Sequence, residues 1–405
     1  MDTSGIGRRI AYWRAERGYT QSDFGHLMGQ TKRWVQDIEG GKRQQDPRLS
    51  VLVRAAEILR VPLEQLLTDS APQQPADSAP PADALRVIDA LYGPDRDDDV
   101  PLRRDVLQRR LDYCCVAFQS CHYAALSRDL PALIGDAGRA VHAAPVGDQG
   151  EAHALLSRVY QLVTSYLHKY GAATAIPAAL AADRALVAAE RSGDPVQMGA
   201  AARRVAKSLV HQQRPASAVE FATTAARRLA DGLTDRGALG LSTLGMLYLS
   251  AALAESSQER TPGRVAAAGG YVAEAGDVAA RQGADLDEDY TQFGPTNVTL
   301  HRMDVLLRFE DGWSALEAAE DARPEALAGM TRERQAGHRV AIARASLLTR
   351  RKGAAAAALL QADELAPEEV RGRPETVNLV KDVVRVTRDP GPALRRLAGH
   401  CGLRA

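Results

Sequence analysis

Apolar residues in this sequence recur at helical spacing, and proline or glycine interrupts the pattern about every 15–25 residues. Leu107, Leu111 and Cys114, for example, would share one face of a helix. The sequence contains no Asn-Gly hairpin turn and no sustained alternation of apolar and polar residues. It therefore predicts an all-α fold. Among the predicted helix ends are Pro131, Pro145, Pro195, Pro215, Gly237, Pro262, Pro295, Pro324, Pro367 and Pro374.

The segment 70–83 divides the chain into two unequal parts. It contains four prolines and four alanines but no large apolar residue. Such a segment cannot bury itself in a core, and its prolines keep it extended. We therefore predict a domain at 1–69, a linker at 70–83 and a larger domain at 84–405.

Composition and motifs exclude several classes of protein. With 45% apolar residues and equal numbers (51 each) of basic and acidic side chains, the chain is not intrinsically disordered. It lacks an apolar run of about 20 residues and a secretory signal, so we expect a cytoplasmic protein without a membrane span. No phosphate-binding glycine loop, G-x-S-x-G or H-E-x-x-H motif is present, so we expect no enzyme and no cofactor.

The four cysteines do not suggest a metal site. Cys114, Cys115 and Cys121 are clustered, but their spacing fits no common zinc motif, and Cys401 is far away in sequence. They are also too few for a disulfide framework. We predict buried thiols and no bound metal.

In the larger domain, pairs of helices recur in a degenerate pattern. Alanines follow the interruption at Pro215 at 218, 222 and 226, where paired helices must approach closely. Similar pairs occur at 244–248 with 275–279, and at 341–343 with 358–362. The pattern resembles tetratricopeptide repeats, which are helix pairs of about 34 residues, and it implies a helical-repeat solenoid. A generic alanine-rich helical bundle is the alternative.

The first 69 residues predict five short helices. The first spans 6–17, and the second begins after Thr20, whose hydroxyl can cap the free amides. The third begins at Thr31 and carries Val35 and Ile38 inward, and Gly29 supplies the turn before it. Apolar residues at 49–59 and 63–67 form the last two.

Three motifs coincide in this domain. They are GYTQ at 18–21, IEGGK at 38–42 and VPLEQLL at 61–67. Residues 6–67 thus resemble the Cro/phage-repressor (XRE) family of helix-turn-helix domains. The resemblance implies binding to double-stranded DNA and a partly buried ion pair between Arg14 and Glu39.

The resemblance also implies a set of DNA contacts, because the third helix of such domains enters the major groove. Trp34 would contact a thymine methyl group or a sugar, or else pack against the neighbouring helix. Asp37 would accept a hydrogen bond from cytosine or repel phosphate. The implied base contacts are Lys32, Arg33, Trp34, Gln36 and Asp37. The implied phosphate contacts are Gln21, Thr31, Lys42, Arg43 and Arg48.

The positive charge of this domain is modest. Residues 29–60 contain seven basic and four acidic side chains. Phosphate contacts dominate the affinity for DNA, so one such domain needs a second copy to bind tightly. We therefore predict a homodimer that binds an inverted repeat, located in the cytoplasm and associated with the nucleoid when bound to DNA.

The order of domains resembles peptide-responsive (RRNPP-type) regulators and actinobacterial (Streptomyces-type) XRE regulators of secondary metabolism. In the latter, a run like FGPTNV at 293–298, followed by His-Arg, recurs in the helical domain. The resemblance implies a peptide or small-molecule effector. The candidate ligand residues are Tyr290, Asn297, His301 and Arg302. Alternatively, Asn297 and His301 form a buried hydrogen-bond network, and the array serves mainly to dimerise the chain.

The leading hypothesis is a ligand-responsive transcription regulator. A second hypothesis is a scaffold whose repeats bind a protein and whose helix-turn-helix domain mediates docking. Binding to DNA that weakens steeply with salt would separate the first from the second. Activation or repression of transcription is not encoded in any motif of the sequence.

Overall fold

The computed structural model describes residues 4–40, 49–59, 61, 63–67, 80–93 and 102–403. The chain divides into two compact units, 1–78 and 79–405. Within the described residues, the β-structure is limited to one antiparallel bridge between Leu286 and Phe293. The fold is therefore all-α, as the sequence predicts. Of the predicted linker at 70–83, residues 70–79 lie outside the described part, and Ala82 and Asp83 already begin a helix.

The N-terminal unit contains the five predicted helices. Their apolar faces enclose a small core, in which Ile10, Phe24, Val35 and Leu59 are almost completely buried. The helix starts and ends lie within about two residues of the prediction, which is the usual precision of such boundaries. The helices are α1 (Ser4–Glu16), α2 (Gln21–Leu27), α3 (Lys32–Glu39), α4 (Leu49–Leu59) and α5 (Glu64–Leu67).

Local chemistry fixes the connection between α2 and α3. The Thr20 hydroxyl accepts a hydrogen bond from the Asp23 amide at 3.2 Å, and the Asp23 carboxylate accepts one from the Thr20 amide at 3.0 Å. These two hydrogen bonds form a capping box. The Thr20 hydroxyl also donates to the Asp23 carboxylate at 2.6 Å, and this bond, with that from the Thr20 amide, holds the pKa of Asp23 below its usual value. Gly29 has a φ of +65°, which glycine adopts without steric cost. The turn therefore forms where the sequence predicts it.

The second unit is an array of helix pairs. The first helices of successive pairs pack against each other along the array. Each is followed in the chain by a second helix that packs mainly on its own pair and the next first helix. The first helices are α7 (Arg104–Gln119), α9 (Gln149–Leu167), α11 (Pro195–His211), α13 (Gly237–Glu255), α15 (Pro295–Arg308), α18 (Arg332–Leu348) and α21 (Pro374–Val386).

The second helices carry the small residues of the repeat. Ala218, Ala222 and Ala226 are fully buried, which confirms the predicted close approach of α11 and α12. The second helices are α8 (Tyr123–Ala143), α10 (Ala175–Ser192), α12 (Pro215–Thr234), α14 (Pro262–Gln282), α16 (Gly312–Glu320), α19 (Lys352–Leu365) and α22 (Pro392–His400). Short helices complete the unit: α6 (Ala82–Tyr92), α17 (Pro324–Gly329), α20 (Pro367–Arg371) and the 3₁₀ segments Val146–Asp148, His168–Thr174 and Glu288–Tyr290.

Most of the prolines and glycines that interrupt the helical pattern lie at helix boundaries, but Pro131 does not. It lies inside α8, so the prediction of a helix end there is wrong. Proline costs a helix one hydrogen bond and some steric strain. Leu126, Leu130 and Leu133 around it are completely buried, and this packing keeps α8 continuous. At the boundary between α10 and α11, by contrast, Pro195 begins α11 as predicted.

The end of the array packs back onto its beginning. Helix α18 contacts α7, and α21 contacts the 3₁₀ segment His168–Thr174. A buried polar cluster joins these parts: Lys169 Nζ lies 2.5 Å from Glu333 Oε1 and 2.9 Å from Glu369 Oε1. The Tyr123 hydroxyl donates to Glu369, and Arg373 Nη1 lies 2.7 Å from its other oxygen. We call Tyr123, Lys169, Glu333, Glu369 and Arg373 the closure cluster.

Two helical stretches are long and apolar enough to cross a membrane by composition, Val146–Ser192 and Gly237–Glu255. Neither stretch was predicted from the sequence. The second stretch is α13, which packs against α11, α12, α14 and α15. Its apolar character is therefore accounted for by its central place in the array. The three cysteines on α7 and in the turn after it are buried free thiols, as predicted.

Candidate nucleic-acid interface

Helix α3 has two distinct faces. Val35 and Ile38 are buried in the core of the N-terminal unit, which fixes the rotation of the helix about its axis. Lys32, Arg33 and Gln36 are exposed on the remaining surface. Lys32 and Arg33 form no hydrogen bond through their side chains and no ion pair within the part of the chain that the structure describes. The amphipathic pattern therefore leaves two exposed cations at the start of α3 and an exposed amide, that of Gln36, one turn further along.

Trp34 and Asp37 are less exposed than their neighbours. The Trp34 side chain is half-buried and packs against the core of the unit, as the alternative interpretation of this residue proposed. Its backbone amide donates to the Thr31 hydroxyl at 3.2 Å, which makes Thr31 the N-cap of α3. Asp37 is half-buried as well. Of the five implied base contacts, three thus lie exposed and two are partly engaged in the fold.

A chain of polar side chains joins α1, α2 and α3. Arg14 Nε lies 2.5 Å from Glu39 Oε1, and Arg14 Nη2 donates to the other carboxylate oxygen at 3.1 Å. Both side chains are largely buried, at 15% and 8% exposure. The Gln21 amide donates to Glu39 at 2.9 Å, and Gln36 donates to the Gln21 carbonyl at 3.3 Å. The structure thus contains the expected ion pair and extends it to two residues of the candidate interface.

The implied phosphate contacts have different environments. Thr31 is exposed at the N-terminus of α3, where free amides and the helix dipole favour an anion. Gln21 is half-buried, and both ends of its amide already have hydrogen-bond partners. Lys42, Arg43 and Arg48 lie outside the described residues.

Three contacts made by α1 and the residue after it were not anticipated from the sequence, and one of them lies against α3. Arg9 Nε donates to the Leu66 carbonyl at 2.7 Å, and Arg17 Nε donates to the Leu59 carbonyl at 2.9 Å. Gly7 lies so close to the end of α3 that a Cβ there would overlap the Ile38 carbonyl oxygen. A glycine in the middle of an otherwise apolar helix face was the available signal for this close approach.

The four candidate ligand residues of the array do not form one site. Asn297 is completely buried; its amide nitrogen donates to the Thr291 carbonyl at 3.1 Å and contacts Met246 Sδ at 3.7 Å. His301 Nδ1 is 2.9 Å from the Asn297 carbonyl, and burial lowers the pKa of His301 to about 3. These two residues therefore form the buried hydrogen-bond network that was the alternative interpretation.

The other two candidate ligand residues point elsewhere. The Tyr290 hydroxyl donates to Asp112 on α7 at 2.8 Å, and its ring stacks under the Arg158 guanidinium. Arg302 is exposed and pairs with Asp321 at the end of α16 at 3.2 Å. The four residues therefore do not converge on one site, because neighbouring positions on a helix face different elements.

Comparison with known proteins supports the assignment of the N-terminal unit. Residues 10–66 match the family model described as helix-turn-helix. The crystal structure of Bacillus thuringiensis PlcR in complex with the peptide PapR7 and DNA is 13% identical, with alignment over 79% of this chain and 93% of that chain and a TM-score of 0.37. Such a score is too low to establish a shared fold. No curated protein matches the chain significantly. Residues 10–66 are therefore similar to helix-turn-helix domains, and an array of helix pairs follows them in the chain.

Proposed function

We propose that this protein is a sequence-specific, DNA-binding transcription regulator of the cytoplasm, without catalytic activity. Helix α3 would enter the major groove, where Arg33 or Lys32 can pair with guanine and Gln36 with adenine. The observation that supports this proposal is the orientation of α3 about its own axis. Burial of Val35 and Ile38 leaves Lys32, Arg33 and Gln36 on the exposed face.

The proposal includes a homodimer on an inverted repeat. Few cations lie on the described surface of the N-terminal unit, so a single copy would make few phosphate contacts. Two copies on half-sites about one helical turn apart would double these contacts and the number of bases contacted.

The proposal also assigns an effector to the helical array. A ligand that binds one arrangement of the array more tightly than another would shift the population of DNA-binding dimers. The resemblance to peptide-responsive and actinobacterial regulators favours a peptide or small-molecule ligand and a role in secondary metabolism. Of the predicted ligand residues, Asn297 keeps one buried carbonyl oxygen without a hydrogen-bond partner among the described residues.

The test begins with selection of bound DNA from a random library, followed by anisotropy titration of the selected duplex. We expect Arg33→Ala to weaken specific binding by about 1–3 kcal/mol, or about 5- to 150-fold, and to relax the preference at one base pair. Arg54→Ala is the matched control, because Arg54 is an exposed cation on α4 that pairs only with Glu57. It should change specific affinity less than Arg33→Ala does.

The same titration at two salt concentrations separates the regulator from the scaffold. Affinity of a regulator should fall steeply as salt rises, because phosphate contacts release counterions. Binding that is weak, insensitive to salt and equal for all duplexes would support docking instead. If Arg33→Ala has no effect while Lys42→Ala abolishes binding, the assignment of base and phosphate contacts is wrong.

A further inference from the structure

Three arginine side chains of the helical array interact electrostatically with one another. Arg203 and Arg204 are consecutive on α11, and Arg334 lies on α18, three pairs further along the array. Arg203 interacts electrostatically with both of the others, and Arg204 interacts with Arg334. We call Arg203, Arg204 and Arg334 the arginine cluster.

The arginine cluster has carboxylates nearby but no ion pair with them: Asp289, Asp304 and Glu333 interact with its members electrostatically. None of its three side chains forms an ion pair within the described residues, and the Arg204 side chain donates only to the Gln161 carbonyl at 3.3 Å. Asp289 interacts electrostatically with Arg203 and Arg204, but its carboxylate already pairs with the Arg158 guanidinium at 2.8 Å. On α15, Asp304 also acts on this region but makes no ion pair in the described part of the chain.

One nitrogen of the cluster is an orphan. Arg203 Nη1 is buried from solvent and has no hydrogen-bond partner in the structure. Buried donors are almost always satisfied in folded proteins, since an unmade hydrogen bond costs about 1–3 kcal/mol. Burial, together with Arg204 and Arg334, pushes the pKa of Arg203 well below its usual value. A guanidinium does not lose its proton at ordinary pH, so the folded chain holds a positive charge here that no ion pair in the described residues neutralises.

The surroundings of the cluster are cationic as well. Lys207 lies one helical turn beyond Arg203 on α11, and burial, with Arg373 and Lys169, lowers its pKa to about 7. Burial, with Arg334 and Arg203, also keeps His301 neutral.

We propose that the arginine cluster binds an anionic group, a carboxylate or phosphate, of the effector. Each oxygen of such a group accepts hydrogen bonds, and the planar guanidinium fork matches both groups in geometry. One anion held between α11 and α18 would satisfy the orphan donor and screen three like charges at once. This inference deepens the proposed function, because it names the chemistry that the effector must carry.

The position of the site gives the anion a way to act on the array. Helix α18 also contacts α7 and carries Glu333 of the closure cluster. An anion that draws α18 towards α11 therefore favours the arrangement in which the end of the array packs on its beginning. Without the anion, repulsion between Arg203 and Arg334 opposes that arrangement.

The experiment uses the full chain without DNA. Isothermal titration calorimetry is performed with inorganic phosphate and, separately, with citrate, at constant ionic strength set by chloride; glycerol serves as the neutral probe. We expect saturable binding of one stoichiometric anion, and the stronger of the two probes indicates a phosphate or a carboxylate on the effector. Absence of saturable binding by both anions would overturn the proposal.

Arg203→Met tests the residue, because methionine keeps the apolar stem and removes the charge. We expect the anion affinity to fall about tenfold or more, as for loss of a charge-assisted hydrogen bond. The melting temperature of the anion-free variant should stay equal to that of the wild type or rise, since repulsion is relieved. Arg228→Met, on the exposed surface of α12, is the matched control and should leave the affinity unchanged.

Two results would contradict the assignment. Equal anion affinity in Arg203→Met and the wild type would place the anion elsewhere. A lower melting temperature in the anion-free Arg203→Met variant would show that Arg203 is already satisfied in the folded chain. Neither result bears on DNA binding, which the titrations with duplex measure separately, so failure of this inference is distinguishable from failure of the proposed function.

Discussion

Removal of the Lys169 ammonium group should open the closure of the helical array. This residue is 7% exposed and lies between two carboxylates, one of which, on Glu369, is 1% exposed. Breaking a buried ion pair by removing one partner typically costs about 3–5 kcal/mol. Arg373 and Tyr123 remain as partners of Glu369, so we expect the lower end, about 3 kcal/mol, for Lys169→Met.

The assay is urea denaturation of the full chain followed by far-ultraviolet circular dichroism. Hydrogen exchange of α7 and α18 provides a local measurement, because these helices meet at the closure. Arg385→Met is the control: its ion pair with Asp382 is exposed at 75% and 46%, so its loss should cost less than about 1 kcal/mol.

The pH dependence provides a second measurement. Burial raises the pKa of Glu333, but Lys169 and Arg334 outweigh it and hold that pKa well below its usual value. Burial acts to raise the pKa of Glu369 as well, but the positive charges of Lys169 and Arg373 outweigh it, so this pKa lies below its usual value. A carboxyl group whose pKa is lower in the folded than in the unfolded chain stabilises the fold at pH values above its unfolded pKa, about 4.3. This stabilisation is lost as the pH falls through the folded pKa.

The wild type should therefore lose stability below about pH 4.3, and Lys169→Met should lose less over the same range. The reasoning is refuted if Lys169→Met costs less than about 1 kcal/mol, or if its stability falls with acid as steeply as that of the wild type.

Three further substitutions test other parts of the structure. Glu39→Gln should destabilise the N-terminal unit by several kcal/mol in thermal unfolding, because Arg14 loses a largely buried anionic partner; a change in melting temperature no greater than that of an exposed charge would contradict this. Thr20→Ala should cost about 1 kcal/mol through loss of the α2 cap, and Thr20→Ser should restore most of it. Gly245→Ala should strongly destabilise the array, because the new Cβ would overlap the buried Phe293 ring; near wild-type unfolding in urea would show that the ring can move aside.

Local features of the sequence predicted the N-terminal unit well. The Thr20 cap, the Gly29 turn and the inward Val35 act within a few residues of themselves, so their effects can be derived without a structure. The same holds for the alanine spacing on α12. Prediction was weaker for Pro131, where burial of neighbouring leucines outweighs the local preference for a helix end.

The candidate ligand residues show what a local sequence pattern cannot predict. Tyr290 and Arg302 are close in sequence to Asn297, but one pairs with Asp112 on α7 and the other with Asp321 on α16. Helical spacing assigns residues to faces of a helix, but not the element against which each face packs.

By itself, the sequence determined the all-α fold, the helix-turn-helix domain and the face that α3 exposes, because helical periods, caps and turns are set by neighbours along the chain. Only the tertiary structure decided that Lys169 meets Glu333 and Glu369, and that Arg203 interacts electrostatically with Arg334. These groups are separated by more than 130 residues and lie on helices that the curvature of the array brings together. That curvature sums small rotations over many helix pairs, so no single segment encodes it.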